Sequence, residues 1–476
     1  MNSLKKNLVY NIVYHILVLI IPLITAPYLS RVIGADGIGI YSYTNSIAQY
    51  FMLFCVLGLS NYGNRTISKI RDDKKVLSKT FWSIYSMQLI TSISTLILYI
   101  GLIIISSKYK IFLIIQALHV LSALFDINWF FFGMEKFKTT VSRNIIIKTL
   151  STILIFVLVK KPGDLSIYIA IVCCSSLISQ LYLWTQLKKY IDFYLPTKEE
   201  IKKHVKPNLI LFIPVIAISL YNIMDKIMLG MIAVKKEVGF YENAEKIVNI
   251  PLTLINALGA VMLPRISNLT AKGNYEKINK YISKTMKFII FASVPIVLGM
   301  ITISTKFAPI YFGSSFEKTG TLIQILAVIV LFKAWANIIR TQYLIPQEKD
   351  KIYVTSVCLG AIINLTFNLI FIPKLQSIGA CIGTILAEFT VMVYQMWNVR
   401  SELEISKYFK EAIPFFIKGI IMFIIIFPIS FIIKNDLICI ISQTILGFII
   451  YTSTNYKYIS KNINFKKLIK KPKEAK

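Results

Sequence analysis

The sequence predicts an all-α integral membrane protein of about 14 transmembrane helices, in which two parallel six-helix repeats are followed by two further helices. Three observations predict this class. First, 56% of the 476 residues are hydrophobic and only 16% are charged, where a soluble domain carries about 25% charge; mean hydropathy is +0.66. Second, the apolar residues gather into runs of roughly 20, the length of helix that crosses a bilayer. Third, two stretches 200 positions apart resemble each other. Ile38-Gly39-Ile40-Tyr41 aligns with Val238-Gly239-Phe240-Tyr241, and Ile47 and Arg65 fall on Ile247 and Arg265. A one-residue shift pairs Asn7-Leu8 with Asn208-Leu209 and Leu57-Gly58 with Leu258-Gly259. An internal repeat in a membrane protein is the mark of a transporter built from two similar lobes.

The runs, in order, are 7–29, 38–60, 80–105, 110–134, 141–159, 165–185, 208–231, 247–264, 285–305, 319–339, 352–372, 377–397, 413–433 and 437–456. The shortest are 141–159 and 247–264. The first six form an N-terminal lobe (1–190), and 191–207 is a cytoplasmic linker. The next six form a C-terminal lobe (208–400), and 401–456 adds a helix pair. A basic cytoplasmic tail (457–476) closes the chain. Six spans per lobe is an even number, so both lobes enter the membrane from one side and the repeats are parallel.

Charge sets the orientation. Lys and Arg are roughly three times as frequent at the termini and every second loop as in the opposite loops, the positive-inside pattern. It predicts a multi-pass protein of the cytoplasmic membrane with both termini in the cytoplasm. The net charge of +30 then faces anionic membrane lipids rather than nucleic acid. The N-terminus resembles a signal n-region, but the run after it is long and lacks a small-x-small cleavage site, so it is kept as the first span. The six cysteines lie in or at apolar runs, without metal-ligand spacing or an extracellular disulfide pair. The cytoplasmic loops 61–79, 186–207 and 265–284 carry amphipathic signs, as in 275–282, expected to lie on the membrane surface.

Candidate residues follow from cost. An ionisable side chain at membrane depth is expensive and faces a cavity or a partner. Asp126, Asp225, Lys226, Lys333 and Glu388 lie within spans, and Arg340 at the end of one. Asp225 and Lys226 are adjacent, so on a helix they point about 100° apart and each needs its own partner. Glu388 sits on a small-residue helix, where a structural acceptor role competes with an ion site. Arg31, Arg65, Arg143 and Arg265 sit at span ends, where a snorkelling role competes with a cavity role. His15 and His119 read as packing residues. Bases outnumber acids at these depths, which suits an anionic substrate such as a phosphate or pyrophosphate head. Pro22, Pro27, Pro214, Pro251 and Pro295 interrupt helical runs and are candidate bending points. No nucleotide loop, zinc motif or nucleophile elbow is present, so no catalytic residue, metal or cofactor is assigned.

Several motifs resemble one family. They are 27–41 (Pro-Tyr-Leu-Ser-Arg-Val-Ile-Gly-x-x-Gly-Ile-Gly-x-Tyr) and the Asp-x-x-Trp-x-x-x-Gly-x-Glu pattern from Asp126 to Glu135. Asp225-Lys226-x-Met-Leu-Gly230 with Glu237-Val-Gly-x-Tyr, and the Gly379–Glu388 run, also fit. They are similar to signatures of the Wzx-type polysaccharide repeat-unit flippases of the multidrug/oligosaccharidyl-lipid/polysaccharide exporter superfamily, over roughly residues 5–400. The resemblance implies a V of two six-helix lobes plus two helices. It also implies translocation of an undecaprenyl-pyrophosphate-linked oligosaccharide to the outer leaflet, for capsule or O-antigen synthesis. On that reading Arg31, Arg65, Lys226, Arg265 and Arg340 supply cavity charge for the pyrophosphate. Asp126, Asp225 and Glu388 orient them or couple to an ion, H+ or Na+, and the polysaccharide polymerase machinery is a further partner. The competing readings are a drug or cation antiporter of the same superfamily, dependent on its buried acids, and a membrane polymerase or glycosyltransferase with paired catalytic groups.

Overall fold

The computed structural model describes residues 3–462, and side chains for residues 20–460 except 221, 222, 260 and 261. The side chain of His15 and the basic tail from 463 onward lie outside the described residues. Among the described residues the backbone forms helices and no strand. That is what a bilayer dictates, because a helix satisfies its own peptide groups where no water can.

The chain divides into two compact units. The first holds Met1–Asn243 and Ala361–Gly383. Its helices are α1 (Ser3–Val56), α2 (Leu59–Ile70), α3 (Lys74–Ile105), α4 (Lys110–Leu124), α5 (Asn128–Gly133), α6 (Phe137–Leu158), α7 (Leu165–Leu187) and α8 (Lys198–Ile232). The second holds Ala244–Gly360 and Thr384–Lys476. Helix α9 (Lys235–Ala271) gives its first residues, to 243, to the first unit and the rest to the second. Helices α10 (Tyr275–Phe312), α11 (Glu317–Leu326) and α12 (Ile329–Ile339) follow in the second unit. Helix α13 (Asp350–Leu375) belongs to the first unit from 361 onward, and α14 (Ser377–Val399) up to 383. The remainder is α15 (Ile405–Ile426), α16 (Ile429–Ile432), α17 (Asp436–Thr454) and α18 (Tyr456–Asn462).

Eleven helices among the described residues are long and apolar enough to span a membrane, or twelve with the bent pair Ser314–Leu326 and Ile329–Leu344. These correspond to twelve of the fourteen expected runs, including the short 141–159 and 247–264. The other two, 7–29 and 38–60, both fall on α1, which breaks at Gly34 with φ 71°. Only glycine takes that angle without strain. Two helices start well before their apolar runs. Helix α8 starts at Lys198, inside the stretch read as linker, where the Thr197 hydroxyl accepts from the Glu200 amide and the Glu200 carboxylate from that of Thr197. This capping box satisfies donors that a helix start would otherwise leave bare. Helix α9 starts at Lys235, well before residue 247, and its first turns are polar. Residues 275–282, read as amphipathic, form the first turns of α10.

Large apolar side chains face outward as well as inward. Ile97, Leu98, Ile104 and Phe448 are 63–71% exposed, as helices surrounded by lipid require. Ser92, Gln88, Asn208, Asn243 and Asn368 are buried. In the first unit the core gathers around Trp129, Phe81, Phe130 and Phe131. Phe81 stacks on Trp129 with ring centres 5.4 Å apart, and the Trp129 indole N–H donates to Gln88 Oε1 at 3.0 Å.

Candidate functional site

In the first unit, α1 and the start of α9 cross at repeat-equivalent glycines. A Cβ on Gly39 would collide with the carbonyl of Lys235, and one on Gly239 with the carbonyl of Ala35. Residues 35 and 235 are themselves repeat equivalents, so the crossing is two-fold in character. Only glycine lets backbones approach so closely.

Polar side chains surround the crossing. Asn243 Nδ2 donates to Ser30 Oγ at 2.8 Å. Ser42 Oγ donates to Glu242 Oε2 at 2.9 Å, and Lys226 Nζ pairs with the same oxygen at 2.8 Å. The Lys235 ammonium donates to the Gly230 carbonyl and sits 3.8 Å from the ring centre of Tyr43 and 5.1 Å from that of Tyr109. These rings supply a face on which a partly desolvated cation is stabilised.

Asp225 is 2% exposed. Its carboxylate accepts from the Tyr241 hydroxyl at 2.8 Å and from Asn368 Nδ2 at 2.5 Å. Asn368 also donates to Asn364 Oδ1 at 3.1 Å. Asp225 and Lys226 thus take different partners, as their angular separation requires. Glu237 accepts from the Ser377 hydroxyl and backbone N–H at the start of α14, where a helix N-terminus favours negative charge.

Asp126 sits at the break between α4 and α5. Its Oδ1 accepts from the Asn128 backbone N–H at 2.9 Å and side chain at 2.7 Å. Asn128 Oδ1 in turn accepts from Arg143, which also donates to the Ser179 carbonyl, both at 3.0 Å. The Asp-x-x-Trp motif therefore braces a helix interruption: Asp126 closes the turn and Trp129 fills the core beneath it. Arg31 and Arg65 are exposed.

In the second unit, Glu388, 3% exposed, pairs with Lys333 at 3.0 Å. Arg265 stacks 4.4 Å over the ring of Tyr281 and donates to its hydroxyl. Arg340 opens a π-helical turn, Arg340–Leu344, a distortion frequent at functional positions. Its guanidinium lies 5.7 Å from the Tyr353 ring centre, and its Nε is buried without a hydrogen-bond partner. Outside the spans, Lys349 beside Glu402 holds that carboxyl below the usual carboxylate range. Among the described residues, no three His, Cys, Asp or Glu side chains gather into a metal-binding group.

Sequence reasoning named Asp225, Lys226 and Glu388 as site residues and quoted Glu237 and Tyr241 only as motif positions, but missed Glu242, Lys235 and Asn368, which complete the first unit's polar network. Four of these last five lie between 235 and 242, a stretch too polar to register as a span. The signal that could have found them is the repeat itself, which sets Ser42 opposite its own equivalent, Glu242.

Apolar helices long enough to cross a bilayer, with ion pairs buried among them, define a multi-helix membrane protein. The chain belongs to the polysaccharide biosynthesis protein family, whose model matches residues 4–270, and to the lipid II flippase MurJ family, matched over residues 146–460. It is 22% identical over 406 residues to the "Putative O-antigen transporter" of Escherichia coli (strain K12), covering 84% of this chain and 97% of that one. Its fold matches the structure of a lipid II flippase MurJ in an inward closed conformation, with TM-score 0.79 at 16% identity over 97% of this chain and 100% of that one. A multidrug resistance MATE family transporter in an inward-facing conformation matches with TM-score 0.59 at 13% identity, over 82% and 99% of the two chains. These two likenesses define a shared two-lobe transporter fold.

Proposed function

We propose that this flippase translocates undecaprenyl-pyrophosphate-linked oligosaccharide repeat units from the cytoplasmic to the outer leaflet of the cytoplasmic membrane, for synthesis of a surface polysaccharide. One observation carries the choice of an anionic cargo. Each acid first assigned to ion coupling is already engaged by the protein's own groups. Asp225 is held by Tyr241 and Asn368, Asp126 by Asn128, and Glu388 by Lys333. A cation exporter needs acids available to its cargo. An anion carrier needs cations, and Arg65, Arg265 and Arg340 carry guanidinium groups, neutralised by no carboxylate named above, in the two-pronged form that suits phosphate oxygens. Lys226, tied to Glu242, belongs instead to the network around the glycine crossing. The O-antigen transporter relative supports a glycan cargo. The chain acts as a transporter and not as an enzyme, and it works in the cell beside the polysaccharide polymerase machinery.

The deciding experiment is a strain deleted for this gene. Lipid-linked repeat units should accumulate on the cytoplasmic face and return to normal on complementation. Unchanged lipid intermediates together with a new sensitivity to cationic dyes would instead identify the antiporter. Reporter fusions test the orientation: those after Lys161, Lys236 or Lys374 should read external, and those after Lys75 or Lys203 cytoplasmic.

A further inference from the structure

Between the end of α14 and the start of α15, the second unit has a cavity of about 690 Å³, within the range of ligand sites. Trp397, Arg400, Glu404, Lys407, Phe409 and Lys410 contribute to its lining. Three cations and one carboxylate leave a net positive charge at its mouth. Arg400 is held in place: its guanidinium lies 3.7 Å from the Trp397 ring centre and donates to the Trp397 carbonyl at 2.7 Å. Lys407 pairs with Glu404 at 2.7 Å, with both side chains more than half exposed, a screened contact that an incoming anion can share.

Two apolar stripes run away from this basic mouth. Phe389, Val393 and Trp397 are exposed at four-residue spacing on α14. Phe409, Ile413 and Ile417 are exposed at the same spacing on α15, continued by Ile420 and Ile424. Spacing of four keeps each set on one helix face. The feature is therefore charged at one end and apolar along its length, and a soluble anion would use only the charged end. Both helices are long and apolar enough to span a membrane, so the basic mouth at their ends lies at the membrane–water boundary, where Trp gathers and Arg and Lys anchor.

We propose that this cavity is a binding site for an anionic membrane phospholipid. The lipid phosphate lies among Arg400, Lys407 and Lys410, the glycerol region rests on Trp397, and the acyl chains follow the Phe409–Ile413–Ile417 face. The site is separate from the groups assigned to the transported cargo. Its test reads lipid binding rather than transport, so its failure would leave the flippase reading untouched.

The test uses the full chain in phosphatidylcholine nanodiscs, with and without phosphatidylglycerol carrying brominated acyl chains. Bromine quenches nearby tryptophan, so brominated phosphatidylglycerol should quench the wild type more than brominated phosphatidylcholine does. Trp397→Phe should remove most of that difference. The triple variant Arg400→Gln, Lys407→Gln, Lys410→Gln should weaken phosphatidylglycerol preference about tenfold, because each cation adds to the attraction of an anionic lipid. Its unchanged Tm in pure phosphatidylcholine shows that it is folded. Should it unfold, Lys410→Gln alone should give a partial loss. Equal quenching by the two lipids, or a preference that survives the charge removal, overturns the proposal. A Tm rise with inorganic phosphate in detergent as large as that with phosphatidylglycerol also overturns it.

Discussion

Gly39 and Gly239 lie against one another at the crossing of α1 and α9, although 200 residues separate them. A Cβ on Gly39 would stand 3.1 Å from the Gly239 nitrogen, and one on Gly239 3.2 Å from the Gly39 nitrogen. Each glycine also packs on a carbonyl of the other helix, at positions 235 and 35. Sequence-equivalent residues meet in this way where a local two-fold relation holds at the crossing itself. The internal duplication is thus also a contact.

Any side chain at this crossing must push two backbones apart. Gly39→Leu and Gly239→Leu should each destabilise the crossing by about 1–3 kcal/mol, the usual range for overpacking, and should reduce transport. A second measurement separates motion from folding. Ser42→Cys with Glu242→Cys replaces the 2.9 Å hydrogen bond by a pair that an oxidant should cross-link readily. If this crossing opens during the transport cycle, oxidation should stop transport and reductant restore it. Full transport by the cross-linked protein would mean that the crossing stays closed throughout.

Asp225→Asn keeps the shape of the side chain but removes its charge and turns one acceptor into a donor. The donors Tyr241 and Asn368 then compete for the remaining oxygen. The stability loss should be about 1–3 kcal/mol, the penalty for a buried polar group left unmatched. Transport should fall while the protein still accumulates in the membrane. Failure to accumulate would make Asp225 purely structural.

The spans were legible because bilayer thickness fixes how long an apolar run must be. The start of α9 was not. Glu237, Glu242 and Asn243 make 235–246 polar, and hydropathy reads polarity as a loop. The structure shows why the helix nonetheless extends there: its polar face meets Ser30, Ser42 and Lys226, so its cost is met by partners that a one-dimensional profile cannot see. The start of α8 was legible in principle, because Thr197-Lys-Glu-Glu200 is a capping-box sequence, but the repeat restarts only at Asn208, which set the preceding residues aside as a linker. Asp126 was read as a membrane-depth acid and as the first residue of a motif. Its work at the α4–α5 break becomes visible only with the backbone turn it closes. Glu388 was found, but its pairing with Lys333 joins two helices far apart in sequence, and no local pattern announces it.

That pair allows a cleaner separation of structure from function. Lys333→Met should cost about 3–5 kcal/mol, because it leaves the buried Glu388 carboxylate without its cation. Lys333→Met combined with Glu388→Met should recover most of this loss, since apolar replacement of a buried pair is often neutral. Thermal unfolding in detergent measures both. If the double variant is stable and transports normally, the pair serves only packing. We expect it to be stable and defective, which would assign the pair a part in the transport cycle.

The Lys349–Glu402 contact predicts a pH dependence. A carboxylate with a depressed pKa stabilises the folded state above its unfolded value and loses that contribution as pH falls through the folded value. The Glu402 carboxyl is depressed chiefly by its hydrogen bond to Lys349 and then by that to Tyr343. Glu402→Gln should therefore lower stability at neutral pH by a few tenths to about 1 kcal/mol, a range that allows for solvent screening. The difference from wild type should shrink below the ordinary carboxylate range, about pH 4. A difference independent of pH would place the effect in packing rather than charge.

The repeated arginines give the sharpest test of the proposed cargo. Arg65 and Arg265 occupy equivalent positions in the two repeats. Arg265 is stacked on Tyr281 and bonded to its hydroxyl, which orients the planar guanidinium. Lys cannot copy either the stacking or the two-pronged bond to a phosphate. Arg265→Lys should therefore lose most transport although charge is kept, and Arg65→Lys should do likewise. Under the competing account both arginines only anchor span ends at the headgroups, and Lys serves as well. Delivery of the lipid-linked repeat unit to the outer leaflet, measured in both variants at equal membrane abundance, decides the matter. Full delivery in both would remove these arginines from the substrate path. Loss in Arg265→Lys alone would confine the anion contact to the second repeat, where Tyr281 holds the guanidinium in place.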